Sequence, residues 1–310
     1  MPARVALYRP AACLRTLSFF WNLPVFMPIR PSLLLLSLLG FLLVTGCSNT
    51  RRITHSSPEQ AYQKGMDAFE EENYDRAMRY FRAVFQYGRG NDYADDAQYR
   101  LAEAYREQSR YLLAANEFQR FGELYRTNQR VPQAAYQRAL MYYKLSPAYK
   151  LDQSDTREAI SLFQLFLEQH PQHELAPDAQ EKIRELRGKL AHKQYDAGLL
   201  YEKRDMWEAA VETYESLFNA YPDTDWADNA LLAAMRSYIA YADASIEKKQ
   251  AERYQKAVDN YERLTQLFPN SNLLDTAEDL YSEAQSKLER EREESESTDR
   301  SLASEDGTAP

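Results

Sequence analysis

Glycine is scarce in this chain, with nine in 310 residues, and there are only two cysteines. So few glycines argue against a β-sandwich, which needs many Gly/Pro turns, and favour helix. Cys13 lies upstream of the cleavage site expected before Cys47, so only Cys47 would survive in the mature chain, which excludes a disulfide framework and a cysteine-based metal site. Net positive charge is also missing: the formal charge is −9. A chain of that sign has no broad attraction to nucleic acid or anionic lipid, and no nucleic-acid partner is expected. No phosphate loop occurs, since Gly88-Arg89-Gly90 stands alone as a turn, and there is no Gly-x-Ser-x-Gly elbow. The acids of Glu70-Glu71-Glu72 and of residues 291–296 read as solvated surface. His170 and His173 flank Pro171 beside Glu168, Glu174 and Asp178, and a charged loop explains them better than a metal site. The expectation is a protein with no cofactor, no metal and no catalytic residues.

The longest apolar run, residues 33–44, has twelve apolar or small residues. That is short of the roughly 20 a membrane-spanning helix needs, but suits the hydrophobic core of a secretory signal. Arg30 precedes the run, and Val44-Thr45-Gly46-Cys47 ends it. This ending resembles the bacterial lipobox: an aliphatic residue, two small ones, then the cysteine that takes the diacylglyceryl group. Cleavage is expected before Cys47, with Cys47 as the lipid-attachment residue. Residues 1–46 form the signal peptide, its true start expected at Met27. Cleavage removes four arginines and no acid, which takes the charge from −9 to −13, and it leaves Cys47 as the sole cysteine. Ser48 is compatible with delivery to the outer membrane. The expected location is the periplasmic face of the outer membrane, with residues 47–57 as lipidated N-terminus and tether.

The remainder repeats itself. An alanine is followed by an aromatic four residues later and an apolar residue three after that: Ala77/Phe81/Val84, Ala114/Phe118/Phe121, Ala159/Phe163/Phe166, Ala210/Tyr214/Leu217 and Ala257/Tyr261/Leu264. This spacing puts all three on one helical face. Pro171, Pro222 and Pro269 each follow their alanine by twelve, where they stop the helix. Gly65 and Gly198 precede theirs by twelve, and Tyr105 and Tyr201 by nine. Small residues at Gly65, Ala102 and Gly198 let a partner helix pack closely. The pattern resembles the tetratricopeptide repeat, a two-helix hairpin. It predicts an all-α solenoid of about five hairpins with a capping helix at 274–292. Repeats one to three fall in 58–172 and repeats four and five, with the cap, in 173–292. Residues 144–152 insert into the third repeat, residues 176–203 form one long helix, and 293–310 are an acidic, disordered tail. Tyr93, Tyr142 and Tyr143 are candidates for the concave face.

A lipobox followed by five divergent hairpins resembles the BamD family of outer-membrane assembly lipoproteins. The likeness is closest over residues 194–204, Trp207-Glu208-Ala209-Ala210-Val211 and Tyr221-Pro222-Asp223-Thr224. The resemblance implies a scaffold for inserting β-barrel proteins into the outer membrane. It implies C-terminal repeats that hold a BamA-like barrel subunit through its periplasmic soluble domains, alongside other assembly lipoproteins. It implies N-terminal repeats that receive unfolded outer-membrane proteins. Many family members carry an arginine in the second helix of repeat four; here the matching position is Thr213, beside Glu212, so docking there is expected without that ion pair. Two other readings fit the repeats: a different periplasmic adaptor in peptidoglycan coordination, which residues 95–105 would suit, and a glycan-capture lipoprotein, which three tryptophans serve poorly.

Overall fold

The computed structural model describes residues 53–306. Cys47 and the signal segment lie outside the described residues. The helices pair into five hairpins: α1 (Pro58–Glu70) with α2 (Tyr74–Val84), α3 (Ala94–Glu107) with α4 (Tyr111–Leu124), α5 (Val131–Leu145) with α6 (Ser154–Gln169), α7 (Ala176–Glu202) with α8 (Trp207–Ala220), and α9 (Ala227–Asp243) with α10 (Glu247–Leu267). A final helix, α11 (Leu274–Asp306), packs on α10 and α9. No strand occurs among the described residues, and no described helix is long and apolar enough to cross a membrane.

Local chemistry sets the helix ends. Ser57 caps α1, its hydroxyl accepting from the Gln60 amide at 3.1 Å, and Pro58 opens the first turn where its missing N–H costs nothing. Hairpins one, two and four share one tight turn. Glu72, Ser109 and Asp205 adopt left-handed backbone (φ 57°, 56° and 55°), and the next residue's amide bonds back to Ala68, Tyr105 or Tyr201. The second helices end alike as well: Tyr125, His170, Tyr221 and Phe268 are the C-caps of α4, α6, α8 and α10, the last three followed at once by proline.

The repeat alanines are fully buried: Ala77, Ala114, Ala159, Ala210 and Ala257. Phe81, Phe118, Phe163 and Tyr214 are buried with them, while Tyr261 is half-buried and stacks on Tyr281 of α11 at 4.3 Å. A side chain at Gly65 would put its Cβ 2.6 Å from Phe81 Cε1, and at Gly198 it would run into the ring of Tyr214. Each glycine thus sits where the first helix of its hairpin meets the aromatic of the second. Tyr201 is half-buried against the same cluster as Ala210 and Tyr214. Helices touch chiefly their neighbours in sequence, and first helices also meet one another (α1 with α3, α5 with α7, α7 with α9) more closely than second helices do. The first helices therefore make the tighter layer.

One expectation at the C-terminus differs from the structure. Residues 293–306 are helical, continuous with α11, where the acidic composition suggests disorder. Between Leu274 and Asp306 there is no glycine or proline, and Glu, Arg, Ala and Leu favour helix. Gly307, the first breaker, lies outside the described residues. Buried positions on the helix are Ala277, Ala284 and Leu288.

Candidate docking surfaces

Three regions gather the side chains that bear on docking. The first is at the C-terminal half. Glu212 is exposed on α8, and Thr213 beside it is half-buried, its hydroxyl donating to the Ala209 carbonyl at 2.6 Å. The Thr213 carbonyl accepts from Gln194 Nε2 of α7 at 3.2 Å, so α8 is held against the long helix at that level. Thr213 has spent its hydroxyl on its own helix, leaving Glu212 as the outward group of the pair. Glu212 borders a 540 Å³ depression with Met206, Trp207, Glu208 and Tyr241. Met206 is 47% exposed and presents an apolar side chain at the edge of that depression. Arg253 lies 3.5 Å over the Tyr241 ring and fixes that wall.

Behind this surface a polar network braces hairpins four and five. Glu202 accepts from Arg236 Nη2 with both oxygens at 3.0 Å, and Oε1 also takes the fully buried Ser237 hydroxyl at 2.6 Å. The Tyr214 hydroxyl is buried beside it without a hydrogen-bond partner among the described residues. Burial first, and then the Glu202 carboxylate, push the ionisation of Tyr214 upward, so it stays neutral.

The second region is the junction between the two halves. The loop 146–153 between α5 and α6, which holds most of the insert expected at 144–152, is strapped to α7. Lys189 Nζ donates to Ser146 Oγ at 2.7 Å and Lys193 Nζ to the Leu151 carbonyl at 2.5 Å. The Tyr149 hydroxyl donates to Asp196 at 2.9 Å. His192 is held between two rings: Tyr149 at 3.8 Å and Trp226, from the loop before α9, at 4.1 Å. Their planes are within 17° of parallel. This stack joins repeats three, four and five. Nothing in the spacing of Tyr149, His192 and Trp226 signals it, because the three come from separate loops and helices.

The third region is the N-terminal half. Tyr93 is half-buried with its ring 5.6 Å from Tyr62, and Tyr142 packs into the core between clusters. Tyr143 donates to Glu185 at 2.7 Å while Lys182 lies over its ring at 4.7 Å. Burial and that hydrogen bond raise its pKa to about 12. Of the three tyrosines expected at the concave face, Tyr143 is therefore tied down by its hydroxyl and Tyr142 serves packing.

The histidines of the 170–173 loop serve structure. His170 and His173 pack against Phe166 at 5.7 and 5.5 Å, and His173 Nδ1 accepts from the Leu175 amide at 3.2 Å. Asp178 is engaged by the Tyr136 hydroxyl. Among the described residues no three His, Cys, Asp or Glu side chains are gathered as a metal would require.

A family model described as an outer membrane lipoprotein, YfiO, matches residues 54–251. The chain is 24% identical over 215 residues to the outer membrane protein assembly factor BamD of Caulobacter vibrioides, covering 68% of this chain and 70% of that one. It is 24% identical over 226 residues to the protein of the same name from Vibrio cholerae, covering 69% and 94%. Among solved structures, a TPR repeats protein from Bacteroides fragilis aligns over 75% of this chain and 100% of its own, at 16% identity and a TM-score of 0.43.

Proposed function

The chain belongs to the YfiO family of outer membrane lipoproteins, and from that membership we propose that it is a binding scaffold, not a catalyst, for the assembly and insertion of β-barrel proteins into the outer membrane. The match over residues 54–251, which runs from the tether into α10, is the observation that carries the reading. Relatives that align over most of their own length bear the name of outer membrane protein assembly factor. Hairpins that bury their repeat positions and leave Met206 and Glu212 outward suit a scaffold, since binding to other chains needs fixed, exposed side chains.

In this reading the anchor is a lipid on Cys47, which holds the protein at the periplasmic face of the outer membrane. Residues 173–292 dock a BamA-like barrel subunit through its periplasmic soluble domains, together with other assembly lipoproteins. The contact is the surface of α8 around Glu212 and Thr213, with Met206 and Trp207 as its apolar part. Residues 58–172 receive unfolded outer-membrane proteins as clients. Purification of the chain from detergent-solubilised outer membrane tests the proposal: a barrel subunit with periplasmic domains is expected to co-purify. Met206→Asp with Glu212→Arg is expected to cut its recovery about tenfold, a loss of about 1.4 kcal/mol, without changing the chain's own membrane fraction. Recovery of the chain with no barrel subunit would sink the assembly reading.

A further inference from the structure

The second helices of the five hairpins share a register, and one position in it departs from the rest. Eight residues after the repeat alanine stand Phe85, Leu167, Phe218 and Thr265 in hairpins one, three, four and five; hairpin two has Gly122. Those four side chains are buried or half-buried. The two phenylalanines are each covered by a guanidinium, Arg89 at 4.6 Å from the Phe85 ring and Arg263 at 4.4 Å from the Phe218 ring. Arg89 follows Phe85 by four residues, and Arg126 follows Gly122 by four. Hairpin two thus keeps the arginine and lacks the ring beneath it.

Gly122 differs from Gly65 and Gly198, whose hydrogen faces an aromatic ring. A Cβ at Gly122 would meet no atom within 4 Å. Glycine weakens a helix interior, and no close approach inside this fold requires one here. Where the side chain is missing, a 450 Å³ groove opens between α4 and α6, floored by Val131 and Ala135 of α5. Leu162 and Phe166 make an apolar wall, and Leu165, 44% exposed, forms the lip. Two arginines line it. The Arg126 guanidinium donates to the Glu123 carbonyl at 3.3 Å, and among the described residues no carboxylate pairs with it. Arg138 reaches Glu158 only at 3.9 Å. The groove's own acid, Glu123, accepts from Gln119 at 2.8 Å. On a chain of net charge −9 this is an apolar slot with a basic rim.

We propose that the groove between α4 and α6 docks an extended segment of another protein, which lays an aromatic side chain over Gly122 beneath Arg126 and pairs a neighbouring carboxylate with Arg126 and Arg138. The partner supplies from outside the ring that hairpins one and four supply from within. A guanidinium over an aromatic face and an arginine–carboxylate pair are both strongest where apolar walls exclude water. Charge argues against a second copy as occupant, because two chains of −9 repel as they approach. The groove lies within residues 58–172 and rests on the reading of those repeats as a client-binding region; it does not depend on the docking proposed at Glu212 and Thr213.

The test titrates the purified full chain with labelled ten-residue peptides, read by fluorescence anisotropy. One peptide has Asp-Phe-Asp at its centre in a Gly/Ser background; in a second the Phe is Ala; in a third both Asp are Lys. The first is expected to bind about tenfold or more tightly than either control. Gly122→Phe, whose Cβ would meet no atom within 4 Å and whose ring is meant to fill the groove, is expected to weaken that binding about tenfold and to raise the melting temperature. Arg126→Glu with Arg138→Glu is expected to weaken it without filling the groove. Absence of binding to wild type, equal binding of the three peptides, or full binding by a folded Gly122→Phe chain each overturns the proposal. So does a concentration-dependent dimer, seen by sedimentation, that Gly122→Phe abolishes, since the groove would then belong to a second copy.

Discussion

Gly65 and Gly198 are where single atoms decide the packing of a hairpin. The ring of Phe81 or Tyr214 occupies the volume a side chain would need, so each aromatic lies across the backbone of the opposing helix. Gly198→Leu is therefore expected to destabilise by about 1–3 kcal/mol through overpacking. An unchanged urea midpoint would show that the helices part without cost. Charge acts more weakly at this scale. Arg187 of α7 donates through Nε to both oxygens of Asp223 at 3.1 and 3.0 Å and through Nη2 to the Ala220 carbonyl at 2.9 Å. The hydrogen-bonded guanidinium holds the Asp223 carboxyl below its usual range. A carboxyl whose folded pKa is depressed stabilises the fold above its unfolded value of about 3.9, and that contribution is lost as the pH falls through the folded value. Asp223 is 48% exposed, so solvent screening limits the gain to at most about 1 kcal/mol. The stability gap between wild type and Arg187→Ala is expected to be constant from about pH 7 to about pH 5 and to close below about pH 4. A gap that persists at about pH 2 would trace instead to the Ala220 contact and to the guanidinium over the Tyr221 ring.

Among the elements, the insert of repeat three and the helix α7 form a unit. Tyr149 on His192 and Asp196, with Lys189 and Lys193 gripping Ser146 and Leu151, gives residues 146–153 four direct attachments to α7, and His192 passes the stack on to Trp226 before α9. Tyr149→Ala is expected to raise amide exchange across 146–153 and at the start of α9 about tenfold, with little change in α1 to α4. Uniform exchange throughout would mean that the stack does not tie the insert to the later repeats. The helices themselves were legible in the sequence: the five alanines, the aromatics four residues on, and the three prolines located α2, α4, α6, α8 and α10. The stack was not, because stacking depends on how loops from three places converge, and no period encodes that. The helical run of residues 293–306 was not expected because composition reports charge, whereas propensity over that glycine- and proline-free stretch favours helix.

At the scale of the whole molecule, a repeat solenoid presents surfaces and an anchor presents them in one place. Cys47→Ala is expected to release the protein from the outer-membrane fraction or stall its processing, and unchanged fractionation would count against lipidation. The sequence alone determined that the chain is helical, how many hairpins it holds and in what register, because helix packing is a local periodic property that alanine, aromatic and glycine offsets write directly into the chain. It also carries Val44-Thr45-Gly46-Cys47, whose resemblance to a lipobox is a matter of sequence alone. Only the tertiary structure decided which exposed side chains share a surface. Glu212 and Tyr241 border one depression, and Gly122 and Leu165 another, although each pair is distant along the chain. Their proximity follows from the way successive hairpins stack, and stacking is set by the whole set of buried contacts between neighbours, which no single repeat contains.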